Sequence, residues 1–316
     1  GWSNLQFATA EVIAFSDALT AAEENDFGGY LAAKYGITAA NYTGNLNPWV
    51  AVGDLDLSTT NVIVTSNSGI EAVTSGNVVI GDLVLGDGVD AGGMLSVSGA
   101  AGFVSFATAT VANTSTAAMG FNNDSDIRLL DGIDFGGLAQ TITKNGEGDL
   151  VLLGSKAHNT VAGSAFEVGG GRLIGSHASN PYGDGTLLKL TGGEIVLSSD
   201  VAAAITYDNP VEIDGGGTLT AGKGGIGTED NVVVTLTNTG GSPDFLLTSG
   251  TVKLKTTDGY SLKIAGGFTG SGGLEIDGDV IYNHAPLGLQ NLIMTSGSLA
   301  RGAGATGDVI VTNSLT

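Results

Sequence analysis

The chain has 316 residues, 53 of them glycine, and a formal net charge of −21 from 32 acidic and 11 basic side chains. It has no cysteine, which excludes disulfides, thiolate metal sites and cysteine nucleophiles, and its negative charge argues against nucleic acid as a partner. Hydrophobic residues make up 42% of the chain, too many for a disordered glycine-rich linker, so a core is expected.

The first 45 residues predict a short strand followed by an α-helix. Residues 8–15 alternate loosely between apolar and polar side chains. Thr20 and Glu23 then have the spacing of a capping box, in which each side chain satisfies an amide donor of the first helical turn. Apolar and aromatic residues follow at three- and four-residue intervals, and Gly36 supplies the stop.

This N-terminal segment resembles the end of a known domain. Residues 10–20 (AEVIAFSDALT) and 29–37 (GYLAAKYGI) resemble the last strand and following helix of a concanavalin A-like, laminin-G-like lectin domain of large bacterial surface proteins. The rest of that domain, which would carry any sugar or calcium site, is absent from this chain. The resemblance implies that residues 1–45 are a lectin-like tail, acting as a cap or junction.

A final strand without its sheet leaves an unpaired edge, which is a liability for a soluble protein. Two explanations stay open. Either proteolysis of a lectin-bearing precursor left the strand behind, or the strand pairs with a neighbouring subunit. The residues expected to make such an assembly contact are Glu11, Val12, Ile13 and Phe15.

Short β-branched runs begin soon after this segment. Residues 61–64, 77–80, 83–85 and 94–97 are bounded by Gly, Asn and Ser, which is typical of strands between tight turns. Residues 107–118 are rich in Thr and Ala and predict a loop. On this basis the second domain covers residues 46–316, with regular structure from about Trp49 onward.

Glycine-rich turns recur in this second domain at a nearly constant interval. Gly148, Gly170, Gly193 and Gly216 follow one another at intervals of about 23 residues, and each precedes an aliphatic strand. Gly250, Gly273 and Gly297 continue at nearly the same interval, after one slip in the spacing. Burial of the aliphatic side chains of one such coil stabilises it by about 10 kcal/mol. The backbone entropy lost when the coil becomes ordered costs more free energy than that, so coils must stack to be stable. The periodicity therefore predicts an elongated, all-β solenoid.

Three segments of the repeat resemble a known family. Residues 144–154 (KNGEGDLVLLG), 166–175 and 183–193 resemble the autotransporter-associated β-strand repeat, in which a Lys, a Gly-x-Gly turn and a Leu-x-Leu strand recur. The resemblance implies a right-handed parallel β-helix that serves as a secreted or surface-displayed stalk or passenger.

Two clusters of aspartates are candidate calcium ligands, because closely spaced carboxylates on turns can converge as hard oxygen ligands. The first consists of Asp82, Asp87 and Asp90 in glycine-rich turns, and the second of Asp124 and Asp126. The second cluster lacks the glycine and terminal Glu of an EF-hand. Both also fit ordinary turns, and calcium is the only cofactor that the sequence suggests.

Enzymatic chemistry finds little support in the sequence. The three histidines, His158, His177 and His284, lie far apart, and a strand-then-helix Gly-x-Ser-x-Gly elbow is missing. The main enzymatic alternative is a β-helix polysaccharide lyase, with carboxylates aligned by stacking. Its candidate carboxylates are Asp124, Asp126, Asp131 and Asp134, whereas the basic residues Arg128, Arg172 and Arg301 are expected to be isolated.

The function predicted from these features is structural. We expect a non-enzymatic protein of the cell surface or extracellular space, whose partner is itself in a filament, sheath or surface layer. Residues 308–312 predict a strand at the end of the solenoid, and Val309, Ile310 and Val311 are candidate contacts for head-to-tail stacking.

The alternative function is an adhesin passenger or carbohydrate-binding protein. Surface glycans would then be the partner, and the aromatic residues that could stack on sugars are Trp2, Trp49 and Tyr260. No apolar run reaches the roughly 20 residues of a membrane span, so membrane insertion is not expected.

Overall fold

The computed structural model describes residues 54–72, 76–89, 92–99, 102–112, 119–154, 163–226, 229–237, 245–266, 268–284, 289–306 and 311–315. The predicted N-terminal strand and helix lie outside these residues. Within them the chain forms strands and turns, with no helix, and every strand pairing is parallel. The described chain is therefore a parallel β-solenoid, as its glycine periodicity predicts.

The strands in chain order are β1 (Leu55–Leu57), β2 (Val62–Val64), β3 (Ser68–Glu71), β4 (Val78–Leu85), β5 (Met94–Ser98), β6 (Phe103–Val111), β7 (Met119–Asn122), β8 (Asp126–Leu129), β9 (Ile133–Asp134), β10 (Thr141–Asn145), β11 (Asp149–Leu152), β12 (Ala165–Val168) and β13 (Arg172–Ser176). They continue with β14 (Leu187–Leu190), β15 (Glu194–Ser198), β16 (Ile205–Asp208), β17 (Val211–Asp214), β18 (Gly217–Ala221), β19 (Val233–Thr237), β20 (Phe245–Ser249), β21 (Thr251–Thr256), β22 (Ser261–Ile264), β23 (Phe268–Gly270), β24 (Gly273–His284), β25 (Leu289–Thr306) and β26 (Val311–Leu315).

These strands stack into three faces that run along the solenoid. The first face includes β1, β8, β11, β13, β15, β18 and β21, and the second includes β2, β9, β16, β19 and β22. Strands β4, β6, β24 and β25 run through the corner between these two faces, which joins them in one 17-stranded sheet. The third face is a separate nine-stranded sheet that runs from β3 to β23, so the solenoid has about nine coils.

Side chains of equivalent positions stack directly on one another inside the solenoid. Along the first face, one fully buried row pairs in register from coil to coil and consists of Val104, Ile127, Leu150, Leu173, Ile195, Leu219, Leu254 and Ile276. Because each aliphatic side chain packs on the one above and below, the core is a continuous column rather than a separate core for each coil.

The stacking register differs by one residue from the one read off the glycines. Asp149 pairs with Arg172 and Arg172 with Glu194, so Gly148 lies below Gly171 and not below Gly170. At the C-terminal end Gly297 pairs with Gly278, not with Gly273. Coils here are shorter, with Leu274 paired to Leu292, and the glycine count alone could not reveal this change.

The predicted slip in spacing corresponds to one long coil. In the buried row Leu219 pairs with Leu254, and this step along the chain is more than half as long again as the next step, from Leu254 to Ile276. Part of the extra length is the connection between β18 and β19, which begins at Gly222. The loop predicted for residues 107–118 is wrong in its first part, because Ala107 to Val111 belong to β6, and residues 113–118 lie outside the described residues.

Candidate functional site

The Lys-Asn-Gly turn of the repeat encloses a buried lysine. Lys144 follows Ile142 on the inward side of β10, and its side chain is fully buried. Its Nζ donates hydrogen bonds to the backbone oxygens of Asn145 at 2.8 Å, Gly146 at 3.1 Å and Gly170 at 3.2 Å. Asn145 and Gly146 belong to the same coil as Lys144, and Gly170 belongs to the next, so one ammonium group links two coils.

The turn above this ammonium group requires glycine. Gly171 has a φ of +57°, and a Cβ atom there would lie 2.8 Å from the Lys144 Nζ and 2.5 Å from the backbone oxygens of Gly146 and Gly148. Any other residue would therefore push against both the lysine and the turn below. The glycines of the repeat let the turns of successive coils approach closely enough to share the lysine.

Burial lowers the pKa of Lys144 to about 8. The negative charges of Asp149, Glu147, Asp124 and Asp126 act in the opposite direction and favour the charged form. Desolvation is the larger effect because the ammonium group has lost its water. At neutral pH the group is charged.

Aromatic rings form a file along the interior. Phe135, Phe166, Tyr182 and Tyr207 follow one another with ring centroids 5.4, 5.9 and 5.6 Å apart. The Tyr182 hydroxyl donates to the backbone oxygen of Val196 at 2.7 Å, and burial raises the pKa of both tyrosines. The rings thus fill part of the core from coil to coil, and the hydroxyls of the two tyrosines donate to backbone carbonyl groups.

Buried asparagines connect the turns of neighbouring coils. Asn209 is fully buried, and its Nδ2 donates to the backbone oxygens of Gly183 and Thr186, each at 2.8 Å. Its Oδ1 accepts a hydrogen bond from Asn180 Nδ2 at 2.9 Å. Asn123 is equally buried and donates to the backbone oxygens of Ser125 and Asp149. These amides replace the hydrogen bonds that turns cannot make within a strand ladder.

Charged side chains on the outside also pair from coil to coil. Arg172 donates through Nε to Asp149 Oδ1 at 2.8 Å and through Nη2 to Oδ2, and these hydrogen bonds raise the pKa of the guanidinium group. Lys253 Nζ lies 2.9 Å from Glu275 Oε1 and lowers the pKa of that carboxyl. Arg128 stacks on the ring of Phe103 with its Cζ 3.6 Å from the centroid. The expectation that Arg128 and Arg172 are isolated is therefore wrong.

A glycine-rich segment folds over the outside of the first face. This segment, residues 222–226, is called the strap. Its Ile226 packs on a second apolar cluster formed by the outward-facing Val151, Ile174 and Val196, which are buried although they lie outside the main core. Lys223 holds the strap through an ion pair with Asp230, with Nζ and Oδ1 2.8 Å apart.

The predicted calcium ligands take part in local hydrogen bonds. Asp82 Oδ1 accepts from Thr108 Oγ1 at 2.6 Å, Asp87 Oδ1 from the Val89 amide at 2.9 Å, and Asp126 Oδ1 from the Asp149 amide at 3.0 Å. Asp124 is exposed on its turn, and Asp90 lies outside the described residues. In the part of the chain that the structure describes, no three His, Asp or Glu side chains converge to hold a metal ion. Calcium binding by these aspartates stays a prediction.

The other predicted residues have mixed outcomes. His177 Nδ1 accepts a hydrogen bond from the Ser179 amide, and the Tyr260 side chain is only 2% exposed, so its ring packs in the core. Val311 opens β26, as residues 308–312 predicted in part. The predictions that fall outside the described residues, or on side chains that are not described, concern Trp2, Glu11, Val12, Ile13, Phe15, Trp49, His158, His284, Val309, Ile310 and the side chain of Val311.

Sequence reasoning missed the buried role of Lys144, although the residue was recognised as part of the repeat. The available signal was its position two residues after Ile142, which places both on the inward side of one strand. The partner of Arg172 also had a signal, because Asp149 lies one coil earlier in the chain, at the equivalent position of its strand.

Comparisons with protein-family models, with curated proteins and with solved structures give no match. The stacked parallel strands define a class, that of repeat proteins built as parallel β-solenoids. Among the described residues no helix is long and apolar enough to cross a membrane.

Proposed function

We propose that this chain is a non-enzymatic structural protein of the cell surface or extracellular space, which assembles head to tail into a filament, sheath or surface layer. The observation that carries the proposal is the uninterrupted inter-coil pairing of the first face from β1 to β26. We also infer that the coils wind right-handed, because connections between parallel strands of one sheet are almost always right-handed.

Stacking supports this role because it can continue from one molecule to the next. In the described part of the chain β26 pairs on one edge with β25, and no strand pairs with its other edge. A parallel strand with a free edge can accept another strand, and a head-to-tail contact of this kind propagates into a fibre. The strand that the sequence predicts around Glu11, Val12, Ile13 and Phe15 is the proposed complementary element.

The surface chemistry supports a location where the rod meets solvent on all sides. With a net charge of −21, the molecules repel one another at low ionic strength, and salt that screens this repulsion should permit assembly. Cations, including calcium, are expected to promote assembly by binding to the carboxylates that give the chain its negative charge.

The test is negative-stain electron microscopy and sedimentation of the full chain, with calcium and with chelator, at low and high salt. We expect fibres one solenoid wide, and we expect Val311→Asp to shorten them because it places a charge at the end contact. Val201→Asp, at an exposed valine on a loop, is the matched control and should assemble normally. A monodisperse monomer under every condition would overturn the proposal.

An adhesin or a polysaccharide lyase can be built on the same fold, so two further measurements distinguish these functions. Glycan-array binding that is lost on substitution of Trp2 or Trp49 would favour an adhesin. Release of unsaturated sugars from acidic polysaccharides, lost on substitution of Asp126, would favour a lyase.

A further inference from the structure

We propose that residues 19–35 form an amphipathic helix that caps the first described coil of the solenoid and packs its aromatic side on the end of the core. The cap does not depend on the proposed assembly, because the helix and the coil belong to one chain. The strand predicted at residues 11–15 precedes the helix, so capping leaves that strand available to another molecule.

The N-terminal end of the described solenoid exposes part of its core. Four apolar side chains of the first coil are half-buried and pack against the main core, namely Leu55, Leu57, Val62 and Ile70. Their in-register partners on the next coil are buried, namely Val78, Ile80, Leu83 and Val97. The two sets differ because a coil at the end of a stack has a neighbouring coil on one side only. The four half-buried side chains of the first coil are called the end face.

The strands of the first coil also leave one edge uncovered. Strands β1 and β2 pair with β4, and β3 pairs with β5, and no other described strand pairs with β1, β2 or β3. An uncovered strand edge invites pairing with other chains, and proteins commonly cover such an edge with a helix or a loop. A helix suits this place because its backbone groups bond within the helix and its apolar side can cover the end face.

The segment that precedes β1 has the pattern of such a helix. Between the capping box at Thr20 and the stop at Gly36, the apolar residues Phe27, Tyr30 and Leu31 are spaced to lie on one side of a helix. At 1.5 Å per residue, a helix of residues 19–35 is about 25 Å long. That length is enough to cross a coil whose three strands have 3, 3 and 4 residues.

The covalent connection favours this segment over a second molecule as the occupant of the end face. Fewer than twenty residues separate Gly36 from Asp54, the first described residue. A flexible tether of this length holds the helix at an effective concentration of about the millimolar range, which a second copy in dilute solution does not reach. The helix in turn needs a packing partner, because Gly28 and Gly29 are unfavourable inside a helix.

The first test maps the contact by photo-crosslinking in the full chain. The photoreactive amino acid p-benzoylphenylalanine replaces Phe27, which preserves an aromatic ring at that position. Equal amounts of unlabelled and ¹⁵N-labelled protein are mixed before irradiation, and the cross-linked peptides are identified by mass spectrometry. We expect cross-links to residues 55–70 that join peptides of the same label only. The same probe in place of Asn25, on the opposite side of the predicted helix, should not capture these residues.

The second test removes the cap by a single charge. Phe27→Asp places a carboxylate against the end face, and the amides of β1, β2 and β3 should then lose about tenfold or more in protection from hydrogen exchange. Binding of an apolar dye should increase, and the amides of β16, β19 and β22 should keep their protection. The matched control is Asn25→Asp, which adds the same charge on the opposite side of the helix and should leave exchange and dye binding unchanged.

The outcomes separate the cap from the other possible occupants of the end face. Cross-links between unlabelled and labelled peptides would assign the end face to a second copy of the chain and overturn the proposal. A probe at position 27 that captures no residue between 55 and 70, or equal effects of Phe27→Asp and Asn25→Asp, would overturn it as well. If Phe27→Asp fails to fold, the cross-links of the chain with the aromatic probe still decide. Failure of fibre formation leaves each of these readouts unaffected, so the cap and the proposed assembly are tested separately.

Discussion

Arg172 reaches back by one coil to Asp149, with its Nε 2.8 Å from the Asp149 Oδ1 and its Nη2 bonded to Oδ2. The Asp149 side chain is 11% exposed, so this carboxylate depends on the arginine more than a surface carboxylate would. The pair connects β11 and β13 on the outer side of the first face.

We expect Arg172→Ala to lower the free energy of unfolding by about 1–2 kcal/mol, because it leaves a largely buried carboxylate without its partner. Urea denaturation at neutral pH measures the loss. The control is Lys189→Ala, which removes a longer contact of 3.4 Å to Glu212 and should cost at most about 0.5 kcal/mol. Equal losses in the two variants would contradict the prediction.

The stability of the solenoid should rise between pH 8 and pH 10 because of Lys144. Its pKa is about 8 in the folded chain and near 10.5 when unfolded, so below pH 8 the amine is charged in both states. Between these values only the unfolded state keeps the proton, and the free energy of unfolding therefore increases with pH. Relative to Lys144→Met, we expect a gain of about 2–3 kcal/mol from pH 7 to pH 10. If urea melts show that the free energies of unfolding of the unmodified chain and of Lys144→Met differ by the same amount at every pH, the prediction is wrong.

The buried tyrosines should act in the opposite direction above pH 10. Burial raises the pKa of Tyr182 and Tyr207, so the unfolded phenols lose protons at a pH where the folded ones keep them. Stability therefore falls as the pH rises past 10. Tyr207→Phe should make this fall less steep in thermal melts. It should also cost about 1–3 kcal/mol at neutral pH, because the Gly175 and Ser198 carbonyls lose a donor. An unchanged alkaline slope would argue against this assignment.

The strap offers a comparison between adjacent glycines. Gly224 and Gly225 both have positive φ values, of +60° and +84°, so alanine strains the backbone at either position. Only at Gly224 would the new Cβ meet side chains, at 2.9 Å from Val196 Cγ1 and 3.1 Å from Ile174 Cγ2. We expect Gly224→Ala to destabilise by about 1–2 kcal/mol more than Gly225→Ala, and to increase the binding of an apolar dye. Both effects should be absent if the strap does not cover the outer cluster.

The sequence was sufficient to predict the stacked architecture, because its period appears in two independent patterns. Glycine turns and aliphatic strands repeat together, and residues such as Leu150 and Leu173 fall one coil apart on the inward side. The glycine pattern does not determine the register, since three consecutive glycines at residues 169–171 allow more than one alignment. Only strand pairing, such as that of Asp149 with Arg172, decides among them.

Contacts that depend on the path of irregular segments could not be predicted. Tyr182 lies in a turn between β13 and β14, and nothing in its neighbourhood in the sequence indicates that its ring enters the core beside Phe166. The strap was visible only as extra length between Gly216 and Gly250. Its packing on Val196 depends on how the segment folds back, which no periodicity encodes.

The long coil has a practical consequence for engineering. It rises by one strand spacing, about 4.8 Å, as does the shorter coil that follows it. The additional residues after β18 thus project from the side of the solenoid, and the spacing between this coil and the coils stacked on it does not change. A foreign epitope grafted at this corner would be displayed at a fixed position along the solenoid axis. In the proposed fibre it would recur once per molecule, at a regular spacing.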